Sequence, residues 1–110
     1  MAAEKESLMA QALGLAELVS YQEGSVVSRT LLDKKAGTIT VFAFAGGEGL
    51  SEHTAPFDAF VQIIDGAAEI TIDGVLHKVR AGQMIIMPAN KPHALRAVQQ
   101  FKMVLVMIRS

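Results

Sequence analysis

Short apolar runs, several of which alternate with polar positions, follow one another along most of the chain. Residues 38–45 and Phe101–Ile108 are apolar at both odd and even positions. A period of two is typical of β-strands, and a strand that is apolar on both faces is covered on both sides. The pattern predicts strands in eight stretches: 25–32, 38–45, 60–64, 67–72, 75–79, 84–87, 93–97 and 101–108.

Glycine-containing turns separate these runs. Asp65-Gly66 and Asp73-Gly74 each stand between two alternating runs. Asp-Gly is a strong hairpin signal, because both central residues of the tight turn take a positive φ. Ala81-Gly82 predicts a third turn. Short strands with turns roughly every 7 to 12 residues indicate an all-β fold, a barrel or jelly roll.

Residues 4–19 have a different, helical periodicity. Four of their apolar side chains share one face at i, i+4, i+7 and i+11: Leu8, Ala12, Leu15 and Val19. This spacing predicts a short N-terminal helix, packed on the domain or on a second subunit. We expect one compact domain, in which residues 1–37 hold the helix and a leading strand and residues 38–110 form the barrel.

Composition, charge and length narrow the range of possible functions. A chain of 110 residues has room for a single core, and its net charge of -1 gives no electrostatic reason to bind nucleic acid or an anionic membrane. The absence of cysteine excludes disulfides and thiolate sites. No apolar run approaches the roughly 18 residues that span a bilayer, and the acidic N-terminus is unlike a signal peptide. We therefore expect a cytoplasmic protein.

Two histidines at strand edges carry a family resemblance. Gly47, His53 and Gly66 fit the pattern G-x5-H-x-H-x3,4-E-x6-G, and a second set fits G-x5-P-x-G-x2-H-x3-N: Gly82, Pro88 and His93. Residues 38–108 thus resemble the cupin superfamily, in its small single-domain bacterial form with an RmlC-like conserved barrel. The resemblance implies a jelly roll, here with a short N-terminal helix, built as a double-stranded β-helix.

The resemblance also implies a metal site, with two histidines and a glutamate from the first motif and a histidine from the second. In this chain His53 and His93 occupy two of the four positions, and Ala55 and Ala59 occupy the others. Asn90 and Ala97 replace the second motif's glycine and asparagine. A divalent metal needs about three or more protein ligands. Fe, Mn, Ni or Zn would therefore be held weakly, unless a neighbour completes the set: Asp58 or Gln62.

Apolar residues around these positions suggest a pocket. The candidates for its lining are Ala55, Phe57, Ala59, Phe60, Met84, Met87, Met103 and Met107. Methionine adapts to irregular ligands, although the same residues would also make an ordinary core.

Two functions are favoured, and a purely structural or interaction role also stays open. The first is binding of a small molecule through the apolar pocket and the His53–His93 pair, around a degenerate metal site. The second is a metal-dependent enzyme, of oxygenase or isomerase type, with the same histidines as ligands. The sequence does not decide whether the protein is catalytic. The doubly apolar strands further predict a homodimer.

Overall fold

The computed structural model describes residues 8–109 and shows the predicted all-β barrel. Within this range, one turn of 3-10 helix, Leu15–Leu18, precedes eight strands. The strands are β1 (Val26–Lys34), β2 (Gly37–Phe44), β3 (Gly49–His53), β4 (Asp58–Ile72), β5 (Val75–Arg80), β6 (Met84–Met87), β7 (His93–Arg96) and β8 (Phe101–Ile108). No helix among the described residues is long and apolar enough to cross a membrane.

The 15-residue strand β4 joins the two layers of the barrel. Its first part pairs with β6 and β8, and its last part pairs with β5 and β7, always antiparallel. One layer holds β1, β2, β8, β4 and β6, and the other holds β5, β4, β7 and β3. The predicted division at residue 37 falls at the first residue of β2, beside the turn that joins it to β1.

Asp65-Gly66 does not form the predicted hairpin. β4 continues through both residues, and its pairing with β8 shifts register between Ile63 and Asp65. Such a shift indicates a β-bulge. Gly66 has φ +75°, and a Cβ there would collide with the carbonyl oxygen of Gln100. A glycine at positive φ serves a bulge as well as a turn, so the dipeptide did not distinguish the two.

The other two predicted turns are confirmed. Asp73 and Gly74 have positive φ values of 51° and 83° and connect β4 to β5. At Ala81-Gly82, the Gln83 N–H donates to the Arg80 carbonyl oxygen at 2.8 Å.

The N-terminal helix is much shorter than predicted. The predicted range begins in residues 1–7, which lie outside the described part, and residues 8–14 are not helical. Gly14 is extended, at φ -73° and ψ 114°, and only Leu15–Leu18 form a helical turn. Glycine is a weak helix former, which favours this break. The extended path lets Val19 pack on the outer face of β2.

Residues 15–21, which we term the N-terminal arm, are fastened to the barrel by polar contacts. The Lys102 ammonium donates to the Ala16 carbonyl oxygen at 2.7 Å. The Tyr21 hydroxyl donates to the Asp65 carboxylate at the bulge. Burial, followed by this hydrogen bond, raises the pKa of Tyr21. The arm therefore covers the outer face of the sheet across β2, β8 and the bulge of β4.

Candidate functional site

His53 and His93 face each other at one end of the barrel. β3 pairs with β7, and after a register shift between Leu50 and His53 the two histidines stand directly opposite. Their Nε2 atoms are 3.1 Å apart, and the ring centroids are 4.3 Å apart with the planes inclined at 68°. The structure thus brings together the two histidines that the sequence singles out.

The remaining nitrogen of each ring contacts a backbone carbonyl two residues earlier in the chain. His53 Nδ1 lies 2.9 Å from the Ser51 oxygen, and His93 Nδ1 lies 3.2 Å from the Lys91 oxygen. A carbonyl oxygen can only accept, so each of these contacts is a hydrogen bond when Nδ1 carries the ring proton. With a proton on one Nε2, the 3.1 Å contact between the rings is an N–H···N hydrogen bond.

The two rings differ in their access to solvent. His53 is exposed, whereas His93 keeps only 6% of its surface. Burial lowers the pKa of His93; the hydrogen bond to the Lys91 carbonyl opposes this, and the charge of His53 lowers the pKa further. The pair thus has an outer ring that water reaches and an inner ring that favours the neutral form.

A cavity of about 60 Å³ lies beside the imidazole pair. Six of the eight predicted lining residues border it: Ala55, Phe57, Ala59, Met87, Met103 and Met107. Four further apolar residues of the wall were not predicted: Phe42, Leu50, Leu95 and Leu105. Leu105 could have been found, because it shares a strand face with Met103 and Met107.

Phe60 and Met84 were predicted to line this cavity, and they lie outside it. Ala59 precedes Phe60 in β4, and neighbouring strand residues point to opposite faces. Met84 pairs across the sheet with Gln62 and is 47% exposed. Both side chains therefore belong to the outer face of the sheet.

The turn between β6 and β7 supports the site. Asn90 stands where the family pattern has glycine, and its φ is 66°. Asparagine tolerates this left-handed conformation better than most residues, so the substitution keeps the turn. The Asn90 N–H donates to the Ala55 carbonyl oxygen at 2.7 Å, which ties the second motif to the first.

The side chains present do not fit a divalent metal. The exposed Asp58 accepts a hydrogen bond from the Ala89 N–H at 2.8 Å, and Gln62 lies opposite Met84 on the outer face. Neither completes a ligand set with the histidines. No group of three or more histidine, aspartate or glutamate side chains able to hold a metal occurs within residues 8–109. Two imidazole nitrogens are fewer than the three or more protein ligands typical of such sites.

Larger depressions lie away from the histidine pair. A groove of about 260 Å³ on the outside of β4 and β5 is bordered by Lys78 and Arg80 among others, and one of about 660 Å³ runs beside β1. Both are more open than the small cavity. We place the candidate site at the small cavity, because convergent polar groups at an apolar wall are typical of ligand sites.

Comparisons with known proteins agree with this architecture. A conserved protein of unknown function from Streptococcus pyogenes has 42% sequence identity and a TM-score of 0.87, covering 92% of this chain and 89% of that structure. Protein SchB of Streptomyces halstedii is 32% identical over 73 residues, which are 66% of this chain and 53% of SchB.

A second curated relative, the polyketide synthase CurC of Streptomyces cyaneus, is 36% identical over 53 residues, 47% of this chain and 34% of CurC. The matched segments thus span about half or less of these two relatives. The family sequence pattern of the cupin domain matches residues 40–109. With the barrel and the two motif histidines in place, this match shows that the chain belongs to the cupin domain family.

Proposed function

We propose that this cupin binds a small, mostly apolar molecule in the cavity beside His53 and His93. The observation that carries the proposal is the contrast within the lining: two imidazoles at one side and aliphatic, methionine and phenylalanine side chains around the rest. An apolar wall supplies binding free energy through burial, and a few polar groups orient the ligand.

The size of the cavity limits the ligand. A bound water needs about 10–15 Å³ of comparable volume, so the roughly 60 Å³ cavity accepts on the order of four to six non-hydrogen atoms. Three methionines in the wall allow some expansion, since methionine is flexible: Met87, Met103 and Met107. The relative CurC is named as a polyketide synthase. Polyketides join apolar carbon to oxygen-bearing groups, and such a molecule would suit a cavity with an apolar wall and two imidazoles.

Methionine methyl NMR provides the test, because the chain carries its own controls. Protein labelled with ¹³C at the methionine methyl groups is titrated with a panel of four- to six-atom alcohols, ketones, amides and carboxylates. Binding in the cavity shifts the signals of Met87, Met103 and Met107. The exposed Met9 and Met84 should not respond. If no panel member shifts the cavity methionines, the proposal fails.

Metal titration tests the competing enzyme hypothesis. Protein prepared without a histidine tag is titrated with Fe²⁺, Mn²⁺, Ni²⁺ and Zn²⁺. With only two imidazole ligands we expect no binding tighter than about millimolar, near -4 kcal/mol. Stoichiometric binding that disappears in the His53→Ala, His93→Ala double variant would instead favour a metal-dependent cupin.

We further propose that two copies pair through the outer face of β4, β6 and β8. Three apolar side chains remain about half exposed there: Met84 at 47%, Ile86 at 54% and Ile108 at 52%. Phe60 lies between Ile86 and Val106 in the strand pairing, so this row carries no charge. The arm covers another part of this face, where it contacts Val41 on β2, Lys102 on β8 and Asp65 on β4. The exposed Asp58, which pairs with Ile108, borders this row. An apolar row without charge can pair with its own copy across a two-fold axis.

Sedimentation velocity measures this association. Ile86→Lys should convert the dimer to a monomer, because it places a charge in the apolar row. Val75→Lys is the matched control, since Val75 is 57% exposed on β5 in the other layer. A monomeric parent protein at tens of micromolar would contradict the proposal, as would loss of the dimer in the control alone.

A further inference from the structure

We propose that the groove of about 260 Å³ on the outside of β4 and β5 binds a small phosphate monoester that carries an apolar group. The residues around this groove that the argument uses are Ala67, Glu69, Lys78, Arg80, Val98 and Gln99. They share none of the lining of the cavity beside His53 and His93. The inference therefore goes beyond the proposed function and stands independently of it.

Charge is segregated along the sequence in a way that makes this face basic. Residues 36–73 contain no lysine or arginine, and their acidic residues are Glu48, Glu52, Asp58, Asp65, Glu69 and Asp73. Residues 74–110 contain no acidic residue, and their lysines and arginines are Lys78, Arg80, Lys91, Arg96, Lys102 and Arg109. In the second layer of the barrel, β4 comes from the first segment and lies between β5 and β7 from the other. Basic strands thus flank β4 on both sides.

Strand pairing brings three of these cations around one carboxylate. Glu69 on β4 stands directly opposite Lys78 on β5 and Arg96 on β7. Val79 is buried, so its neighbours Lys78 and Arg80 both point to the outer face, where they are exposed. Among the described residues, none of the three cations forms an ion pair within 4 Å. One cation balances Glu69, so two positive charges remain in excess.

The shape of the groove follows from a small residue at its floor. Ala67 stands opposite Arg80 in the strand pairing, and its methyl group leaves space between the Arg80 side chain and the loop after β7. On the loop side, Val98 is 58% exposed, and Gln99 adds an amide. The groove is therefore cationic along β5 and apolar toward Val98. A ligand that covers Val98 gains free energy from apolar burial.

The excess of two charges selects the anionic group. A phosphate monoester carries about −1.5 to −2 charge at neutral pH, which matches this excess, whereas a carboxylate or sulfonate carries only one. The guanidinium of Arg80 can donate two parallel hydrogen bonds to phosphate oxygens, and the Lys78 ammonium adds a compact charge beside it. A volume of about 260 Å³ holds on the order of 15–25 non-hydrogen atoms, so the ester group can be a ring system.

An NMR titration of the full chain tests the site. The probe is 1-naphthyl phosphate, and 1-naphthalenesulfonate is the matched compound with the same rings and a single charge. We expect saturable shifts of the backbone amide signals of Ala67, Glu69 and Gln99, with no response of the cavity methionines. The sulfonate should bind at least about threefold more weakly, and salt at about 0.5 M should weaken both.

Four variants separate charge from shape. Lys78→Gln and Arg80→Gln should each weaken binding of the naphthyl phosphate at least about fivefold. Lys35→Gln is the matched control, because it removes one exposed cation from the turn between β1 and β2, and its affinity should stay within about twofold of the parent. Glu69→Gln should tighten binding by about threefold or more, since it removes a repulsive charge. Ala67→Leu fills the floor without changing any charge and should abolish binding.

Several results would overturn the proposal. One is the lack of saturable shifts at these three amides in the parent protein. Another is an equal loss of affinity in Lys78→Gln and Lys35→Gln, which would indicate a diffuse response to net charge. Weaker binding in Glu69→Gln, or full binding in Ala67→Leu, would place the anion outside the groove. None of these results bears on the proposed function, which is read from the cavity methionines.

Discussion

The interior of the barrel has two ends built by the same strands. At the sealed end, around the Gly66 bulge, Phe44 and Phe101 stack with centroids 4.5 Å apart and planes inclined at 13°. Ile63 and Ile70 are also fully buried, and they pair across the strands with Met103 and Leu95, at the boundary with the cavity. At the cavity end, the His53–His93 pair stands among alanine, leucine and methionine side chains.

Along a single strand, the inward side chains change from those of the cavity end to those of the sealed end within a few residues. On β4 the inward positions change from Ala59 to Ile63, and on β2 from Phe42 at the cavity to the stacked Phe44. The backbone pairing continues through both ends. What differs is the volume and stiffness of the side chains, so the cavity is a result of small and flexible residues at a few inward positions.

The largest expected difference between the ends is in the cost of truncation. Phe101→Ala removes a ring with no exposed surface and should lower the free energy of unfolding by about 3–5 kcal/mol. Phe57→Ala, at the half-exposed rim of the cavity, should cost less than half as much. Urea denaturation of both variants measures this. Equal losses would show that the cavity end is packed as tightly as the sealed end.

Enlarging an alanine is the reverse change, and the packed core should again lose more stability than the cavity end. Ala68 is 1% exposed in the packed core, so Ala68→Leu should destabilise by about 1–3 kcal/mol through overpacking. Ala59→Leu places the same extra carbons in the cavity and should cost less than about 1 kcal/mol.

The same pair of variants should differ in ligand binding. Ala59→Leu fills the space that the ligand needs, so the response of the cavity methionines to the panel of four- to six-atom compounds should vanish. Ala68→Leu, if folded, should retain it. Retained binding in Ala59→Leu would mean that the ligand lies elsewhere.

Local chemistry explains how much of the fold was predictable. Alternation identified seven of the eight strands, and the Asp73-Gly74 turn followed from the need for two positive φ values. The Asp65-Gly66 bulge carries the same local signal as a turn, and only its pairing with β8 distinguishes it. The five-residue β3 has no alternating pattern, because it exists through its long-range pairing with β7.

The candidate site also has features that the sequence predicts and features that depend on long-range pairing. Motif spacing indicated that His53 and His93 meet. Strand alternation puts Ala59 and Phe60 on opposite faces, so Phe60 could have been left out of the predicted lining. The contact between the two Nε2 atoms depends on the register shift in β3, which local sequence does not encode. Leu50 and Leu95 reach the cavity through the same cross-strand pairing, so their place could not be found from spacing alone.

The smallest expected effect is a difference in pH dependence between the ends. Because burial lowers the pKa of His93 below the ordinary value of 6.5, the folded protein binds fewer protons there than the unfolded chain. The stabilisation is present above pH 6.5 and is lost as the pH falls toward the lowered pKa. His93→Gln should therefore flatten the fall in unfolding free energy between pH 7.5 and 5.5, measured by urea denaturation. Phe101→Ala should lower the whole curve and leave its slope unchanged, because the sealed end contributes no titrating ring. An unchanged slope in His93→Gln would show that the fall in stability arises from other groups.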